Sequence, residues 1–205
     1  MKRAIIIGEK TYLRPLEKDD IDKGWIDWIN DHESAANLIS PWPQTKEELE
    51  RYWERSQPPD VVMFAICDKS NDTYIGNARL SSIDWVHRSA LYGRLIGREY
   101  QNLGLGTEAL KLLFEYGFYE LGLNRIWSTA WVENEISLAS NDKFGMCREG
   151  IMRQAVYKKG KFCDTVILAM LREDFEERYG ADGYGRSIYV NDPEGNVVEL
   201  KISNN

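Results

Sequence analysis

Three glycines surround a polar loop that leads directly into an amphipathic stretch, in GREYQNLGLGTEALKLLFEYGFYE at 97–120. Gln101, Gly104 and Gly106 lie between a strand-like run and a helix-like run. Glycine lets the backbone turn sharply there and expose consecutive N–H groups. The first turn of the following helix adds unpaired N–H groups and the positive end of a helix dipole. The loop therefore predicts a binding site for a diphosphate or a similar anion.

Two known phosphate motifs and one purely structural interpretation compete with this prediction. A P-loop is excluded because no G-K-[ST] follows the glycines. Gly104, Gly106 and Ala109 fit the dinucleotide pattern G-x-G-x-x-A. That pattern normally opens a parallel βαβ domain, whereas two predicted helices and a hairpin come first here. The glycines alone also fit a tight connection from a strand to a helix.

The elements that hold the loop follow from the apolar spacing along the chain. It predicts a short strand from Thr11, two early helices, three strands, a long helix over about 107–121, then a strand, a short helix and a final hairpin. Thr45 and Glu48 have capping-box spacing at the start of the second helix. This order favours a mixed α/β class in which helices cover the faces of one sheet.

A change of character past Gly180 predicts a domain over 1–180 and an appended β-hairpin over 181–205. The tail opens with glycines and then alternates apolar and polar residues around a turn, DPEGN. Its segment IYVNDPEGNVVEL is similar to the closing hairpin of glyoxalase-type metal enzymes, in which Glu199 would be a ligand. The chain has no room for the other ligands, so a structural hairpin is favoured. Its expected partner is a sheet edge or a second subunit, and a homodimer is one expected assembly.

Charge and composition bound the partners. The 26 basic and 33 acidic residues give a formal charge of −7, and no segment gathers Lys and Arg, so no nucleic-acid partner is expected. An acidic surface weakly attracts a cationic substrate such as an amine, although the same charge can serve solubility alone. No apolar stretch approaches the length of about 18 residues that a membrane helix needs, so no membrane role is expected.

The cysteines indicate a reducing compartment. Cys67, Cys147 and Cys163 are widely spaced and form no C-x-x-C pair, so neither a disulfide framework nor a zinc site is expected. The apolar run near the N-terminus is too short for a signal-peptide core. We therefore expect a cytoplasmic protein without a metal.

Several segments, in order, resemble one family. IGREYQNLGLGTEAL resembles motif A of the GNAT superfamily of acetyl-CoA-dependent N-acetyltransferases, and YLRPLEKDDI, TYIGNARLSSIDWVHRSALYG, GLNRIWSTAWVENEISLASNDKFGMCREG and YKKGKFCDTVILAML resemble its other segments. LRPL, NEISLASNDKFGM and GKFCDTVILAML are most similar to the branch that acetylates ribosomal-protein N-termini and related small amines. The resemblance implies a central, mostly antiparallel twisted sheet of six to seven strands. That sheet would be splayed between strands 4 and 5 and flanked by about four helices.

The resemblance implies acetyl-CoA as the acyl donor and assigns residues to it. Leu95, Ile96 and Gly97 would hydrogen-bond the pantetheine arm, and a backbone N–H near Ile96 would donate to the developing oxyanion. The diphosphate would be held by Gln101, Asn102, Leu103, Gly104, Leu105, Gly106 and Thr107. Asn134 matches an asparagine whose amide contacts the cofactor, and it is equally placed to cap a helix.

The proton transfers are left open. The family's tyrosine acid, in N-x-x-A/S-x-x-x-Y, corresponds to Asn141, which we keep as a candidate for the catalytic and cofactor sites. An amide is not an acid, so water, Ser140, Tyr92 and Tyr157 are the candidates for protonating the thiolate.

The general base is open as well, because Leu91 stands where relatives often carry a glutamate. Asp84, His87 and Glu133 are candidates, although Asp84 and His87 are also typical of an exposed turn.

The acceptor would be a primary amine that attacks acetyl-CoA directly: a protein N-terminus, a polyamine or another small amine. Trp28, Trp85 and Trp131 are candidates to line its pocket, the alternative being burial in the core. IDWVHRSA is similar to spermidine acetyltransferases. A non-catalytic acyl-CoA-binding module is the second hypothesis, in which Leu91 and Asn141 mark a lost base and acid.

Overall fold

The computed structural model describes residues 3–33, 42–180, 187–191 and 197–201. Within these residues there are eight strands in one main sheet, a separate two-stranded sheet and five complete α-helices. The strands are β1 Ile6–Ile7, β2 Thr11–Pro15, β3 Val62–Asp68, β4 Thr73–Asp84, β5 Ser89–Ile96, β6 Arg125–Trp131, β7 Cys147–Lys158, β8 Lys161–Leu171, β9 Ser187–Asn191 and β10 Val197–Lys201. The helices are α1 Trp25–Asn30, α2 Lys46–Arg55, α3 Leu105–Glu115, α4 Glu135–Phe144 and α5 Arg172–Tyr179. Shorter helical turns occupy Lys18–Ile21, Arg98–Tyr100 and Tyr116–Glu120.

The main sheet has the order β1-β2-β3-β4-β5-β6-β8-β7 and is antiparallel except between β5 and β6. These two strands pair only where Ser89–Leu91 lies beside Arg125–Trp127. Both strands continue past the paired segment, so they leave an open cleft between their C-terminal halves. The predicted splay between strands 4 and 5 is confirmed. These two strands are β5 and β6 here, because β1 precedes the strand that the sequence indicated as the first.

The two faces of the sheet carry separate hydrophobic cores. Helices α3, α4 and α5 pack on one face, where Phe114, Phe144 and Phe175 are almost fully buried. Helices α1 and α2 pack on the other face, with Trp25 and Leu49 buried. Because strand side chains alternate between faces, the even-numbered residues of β5 face α3 and α4, and the odd-numbered ones face α1. The open cleft is therefore bordered by helices on both faces.

Side-chain hydrogen bonds fix the first turns of α2 and α3. The capping box predicted at Thr45 and Glu48 is confirmed at the start of α2, where the Thr45 hydroxyl accepts from the Glu48 N–H at 3.2 Å. In the first turn of α3, the Glu108 carboxylate accepts hydrogen bonds from the backbone N–H groups of Glu9, Lys10 and Thr11 and from the Thr11 hydroxyl. The turn between β1 and β2 is thus tied directly to the start of α3.

The tail strands β9 and β10 pair antiparallel with each other, from Ser187 beside Lys201 to Asn191 beside Val197. The predicted turn at 192–196 lies outside the described residues. Among the described residues no group of three His, Cys, Asp or Glu side chains is placed to hold a metal. In the same part of the chain, no helix is long and apolar enough to cross a membrane.

Candidate active site

The anion loop connects β5 to α3 at the open end of the cleft. Residues 101–104 are exposed, and the chain enters α3 through Gly104, whose φ of +80° lies in the left-handed region. A Cβ at Gly104 would meet nothing within 4 Å, so the backbone conformation is what requires glycine there. A Cβ at Gly106 would lie 3.1 Å from the Ile96 side chain, a tight contact, so glycine allows α3 to pack closely on β5.

The loop is closed onto the strand by Gln101, whose side-chain amide donates to the Ile96 carbonyl at 3.1 Å. The Gly97 N–H donates in the other direction, to the Ile75 carbonyl on the β4 side at 2.9 Å. Peptide groups alternate between the two edges of a strand. Of the three residues predicted for the pantetheine arm, Ile96 is therefore the one whose backbone faces the open cleft, and Leu95 and Gly97 face β4.

A polar cluster lies beside the cleft, between β5 and α4. The buried Tyr92 hydroxyl donates to Oδ1 of the buried Asn141, whose own amide group reaches the Ser137 hydroxyl at 3.4 Å. Burial raises the pKa of the Tyr92 hydroxyl, so it stays protonated at neutral pH. The structure thus brings together Tyr92 and Asn141, two of the residues predicted for the site.

Arg94 completes this cluster and is not among the residues predicted for the site. Its guanidinium donates to the Gly106 carbonyl in the first turn of α3 and to the Ser140 hydroxyl of α4, at 3.0 Å in the second case. Arg94 is the charged residue within a run without other charges, SALYGRLIG, and this is the feature of the sequence that could have indicated it. The sequence did not indicate which face of the strand the side chain would occupy.

Asn134 caps α4, because its side chain accepts from the Ser137 N–H at 3.1 Å. This bears out the capping interpretation. Contact of the same residue with the cofactor stays a prediction, and Asn134 is placed directly after β6 at the open end of the cleft.

The residues predicted as bases lie apart from this cluster. The Asp84 carboxylate accepts from the His87 N–H at 2.8 Å and contacts the His87 ring at 2.8 Å in the turn between β4 and β5. Trp85 lies in the same turn, which precedes the paired, closed end of the cleft. Glu133 is at the open end but forms an exposed ion pair with Lys161 at 2.5 Å. The structure therefore does not bring Asp84 or Trp85 together with Tyr92 and Asn141.

Trp28 borders a cavity of about 690 Å³ on the α1 face, at the end of β5. Its ring lies against Gly97, and its indole N–H donates to the Glu99 carboxylate at 3.2 Å. The cavity is lined mainly by carboxylates and aromatic rings, with two cations, and its acidic residues are Asp22, Asp27, Asp31 and Glu99. A cavity of this composition suits a cationic ligand.

Trp131 ends β6 on the face that α1 also covers. It is buried, and its indole N–H and the hydroxyl of its neighbour across the sheet, Thr165, have no hydrogen-bond partner within the described part of the chain. The ammonium groups of Lys158 and Lys159 lie over its ring at 5.9 and 5.3 Å. Two adjacent buried polar groups without partners are rare in a sheet, so this is an unusual feature of the open end.

Comparison with known proteins gives the same family that the motifs resemble. The family model described as acetyltransferase (GNAT) domain matches residues 10–147. Probable N-acetyltransferase YjcK of Bacillus subtilis is 30% identical over 178 residues, covering 83% of this chain and 98% of the relative. Spermidine N(1)-acetyltransferase of Escherichia coli K12 is 26% identical over 179 residues, covering 83% and 91%.

The fold agrees with a crystal structure of spermidine N-acetyltransferase from Vibrio cholerae in complex with CoA and spermine. The TM-score is 0.75 at 22% identity, and the match covers 82% of this chain and 99% of that one. The chain belongs to the GNAT acetyltransferase family. It is an acyltransferase whose donor is acetyl-CoA, and the predicted enzyme class and cofactor are confirmed.

Proposed function

We propose that the protein transfers the acetyl group of acetyl-CoA to a cationic primary amine by direct attack, in the cleft between β5 and β6. The observation that carries the proposal is the separation of these parallel strands after Leu91, with the anion loop at the open end. A cleft between strand edges admits an extended chain such as pantetheine, and a helix N-terminus behind a glycine loop suits its diphosphate.

The proposed roles of the chain's residues follow from their positions. The backbone of 101–107 would bind the diphosphate, and Ile96 would hydrogen-bond the pantetheine arm and the thioester oxygen. Leu95 and Gly97 would support this edge through their bonds to β4, and Asn134 would contact the cofactor beside β6. Tyr92 and Asn141 would lie close to the sulfur.

The acceptor would enter from the α1 face. The acidic cavity beside Trp28 supports a polyamine as the first acceptor to test, and the relatives named as spermidine acetyltransferases point to the same class. Trp131 would border the acceptor from the β6 side, where its unpartnered N–H offers a donor. Asp84 and Trp85 have no part in this proposal, because they lie at the closed end of the cleft.

The test is the release of free CoA from acetyl-CoA in the presence of spermidine, spermine, a peptide with a free N-terminus and an amino sugar. We expect the highest kcat/KM with a polyamine. Removing two cavity charges, Asp27→Asn with Asp31→Asn, should raise the KM for the polyamine and leave the affinity for acetyl-CoA unchanged. Binding of acetyl-CoA without turnover of any amine would instead support the non-catalytic module.

We also propose a catalytic domain over 1–180 with an appended hairpin over 181–205, a homodimer and a cytoplasmic location. The exposed apolar residues of the β7–β8 hairpin support the dimer. The three free cysteines of the described chain support a reducing compartment.

A further inference from the structure

Arg94 is a charged side chain held only by neutral groups. Its two hydrogen bonds go to the Gly106 carbonyl and the Ser140 hydroxyl, and the ion pairs found within the described residues do not include it. It is partly buried between β5, α3 and α4. A guanidinium in such a position keeps its charge at neutral pH and lacks a counter-ion.

The surroundings make this arrangement electrostatically unfavourable without a ligand. Gly106 lies in the first turn of α3, where the helix dipole is positive, so a cation there adds positive charge to positive charge. Burial also lowers the pKa of the Arg94 guanidinium, which is the direction expected for an under-compensated cation. A negative group placed beside Arg94 would relieve both effects.

The position of Arg94 selects which negative group that is. Within the segment proposed to bind the diphosphate, 101–107, residues 101–104 are exposed, and Arg94 contacts the inner end, at the Gly106 carbonyl. Its other bond goes to Ser140 of α4, next to Asn141, which the Tyr92 hydroxyl contacts. Acetyl transfer creates negative charge first on the thioester oxygen, for which the Ile96 N–H is the proposed donor, and then on the sulfur that leaves. The cluster offers no free acid to protonate it, because the Tyr92 hydroxyl already donates to Asn141 and its pKa is raised by burial.

We propose that Arg94 is a catalytic residue that stabilises the CoA thiolate as it leaves. The inference rests on the proposed function. The amine lone pair attacks the thioester carbon, the C–S bond breaks, and its electron pair goes to sulfur. The nitrogen of the cationic amine loses two protons to water, one before the attack and one after it, and the thiolate is held by the guanidinium until it takes a proton on release. The amide product and CoA account for all atoms, and no oxidant or metal enters the step.

The test measures the pKa of the CoA thiol bound to the protein, from the ultraviolet absorbance of the thiolate. Wild type should hold this pKa below that of free CoA titrated in the same buffer. Arg94→Met should raise it by about one unit, a tenfold loss of thiolate at a given pH. Arg94→Lys should restore part of the shift. Affinity for desulfo-CoA, which lacks the sulfur, should be the same in all three proteins.

A matched control is Arg79→Met, which removes an arginine of β4 that contacts Tyr52 on the α2 side. It should leave the pKa of the bound thiol unchanged. An unchanged thiol pKa in Arg94→Met would overturn the proposal. A loss of desulfo-CoA affinity in that variant would also overturn it, because Arg94 would then be a ligand of the diphosphate.

Failure of the proposed function gives a different result from failure of the Arg94 proposal. Wild type would then bind acetyl-CoA and acetylate no amine, while the thiol titration would still report whether Arg94 faces the sulfur. If Arg94→Met fails to fold, as judged by its thermal unfolding, the comparison of wild type with Arg94→Lys decides. A bound-thiol pKa below that of free CoA in both proteins would support a charge effect, and a value at or above that of free CoA in both would contradict it.

Discussion

Gly104 determines the shape of the anion loop through its backbone alone. Its φ is +80°, a conformation that is unfavourable by about 1–2 kcal/mol for any residue with a Cβ. No atom of the described residues lies within 4 Å of the position that a Cβ would take, so a substitution there adds no steric clash. Gly104→Ala should therefore weaken acetyl-CoA binding about tenfold, measured by titration calorimetry. Gly122→Ala is the matched control, since Gly122 has a φ of +65° and open surroundings beyond the helical turn that follows α3. If the two variants bind acetyl-CoA with equal affinity, the loop is not part of the cofactor site.

Two buried threonines differ in one respect, and that difference predicts opposite effects of the same substitution. The Thr165 hydroxyl lacks a partner within the described chain, whereas the Thr11 hydroxyl donates to the Glu108 carboxylate at 2.8 Å. Thr165→Val should raise the free energy of unfolding by about 1 kcal/mol, because it removes an unsatisfied group. Thr11→Val should lower it by about 2 kcal/mol. Urea denaturation measures both, and a loss of stability in Thr165→Val would show that its hydroxyl has a partner.

The sequence identifies individual site residues by type and order but not by contact. Gly104 was predictable, because few residues other than glycine fit a sharp turn into a helix. Arg94 was not, because a strand sequence does not reveal what the far end of a long side chain meets. The turn role of Asp84 was among the interpretations that the sequence allowed, and the His87 contacts agree with it.

The element that leads into α1 is fixed by a buried ion pair. Arg14 of β2 donates to both carboxylate oxygens of the fully buried Asp20, at 2.7 and 2.8 Å. Burial alone would raise the pKa of this carboxyl, but the bonds from Arg14 and from the Glu17 N–H hold it below its usual value. A depressed carboxyl pKa contributes stability above the unfolded pKa of about 3.9 and loses it as the pH falls further.

Asp20→Asn should therefore cost about 3 kcal/mol at pH 7, and the difference from wild type should shrink below about pH 4. Asp19→Asn is the control, because Asp19 is the exposed neighbour and should change stability by less than about 0.5 kcal/mol. Denaturant unfolding across this pH range gives both numbers. A difference that stays constant down to low pH would contradict the role of the charge.

Most elements were predictable from spacing, and the two exceptions have physical reasons. β1 is two residues long and exists through its pairing with β2, so no periodicity could reveal it. The sequence of α5 is REDFEERY, in which Phe175 is the single buried residue, so this helix lacks an amphipathic pattern. The splay of β5 from β6 was expected from the family resemblance, because strand sequences do not indicate where pairing ends.

Within the described part of the chain, the main sheet ends at β7, whose outer edge is unpaired. Every residue of this strand is exposed or partly exposed, and large apolar side chains are exposed on its hairpin with β8, namely Ile151, Met152, Tyr157 and Phe162. Long apolar edges are usually covered in soluble proteins. A second copy pairing along β7 would cover this one.

Sedimentation velocity over a range of concentrations should therefore show a dimer. Ile151→Lys should shift it towards monomer, because Ile151 is 63% exposed on the proposed interface. Ile136→Lys is the control, since Ile136 is 76% exposed on α4, away from that hairpin. A wild-type protein that remains monomeric at every concentration would rule out the interface.

The Glu108 contact makes the N-terminal turn a remote reporter of ligand binding. Three backbone N–H groups and a hydroxyl converge on a carboxylate in the first turn of the helix that the cofactor is proposed to cap. By thermodynamic reciprocity, a ligand that orders this turn also strengthens the bonds at 9–11, and a change at 9–11 alters the affinity for the ligand. Acetyl-CoA should thus slow hydrogen exchange of these amides. Unchanged exchange would show that the two ends of the contact are energetically independent.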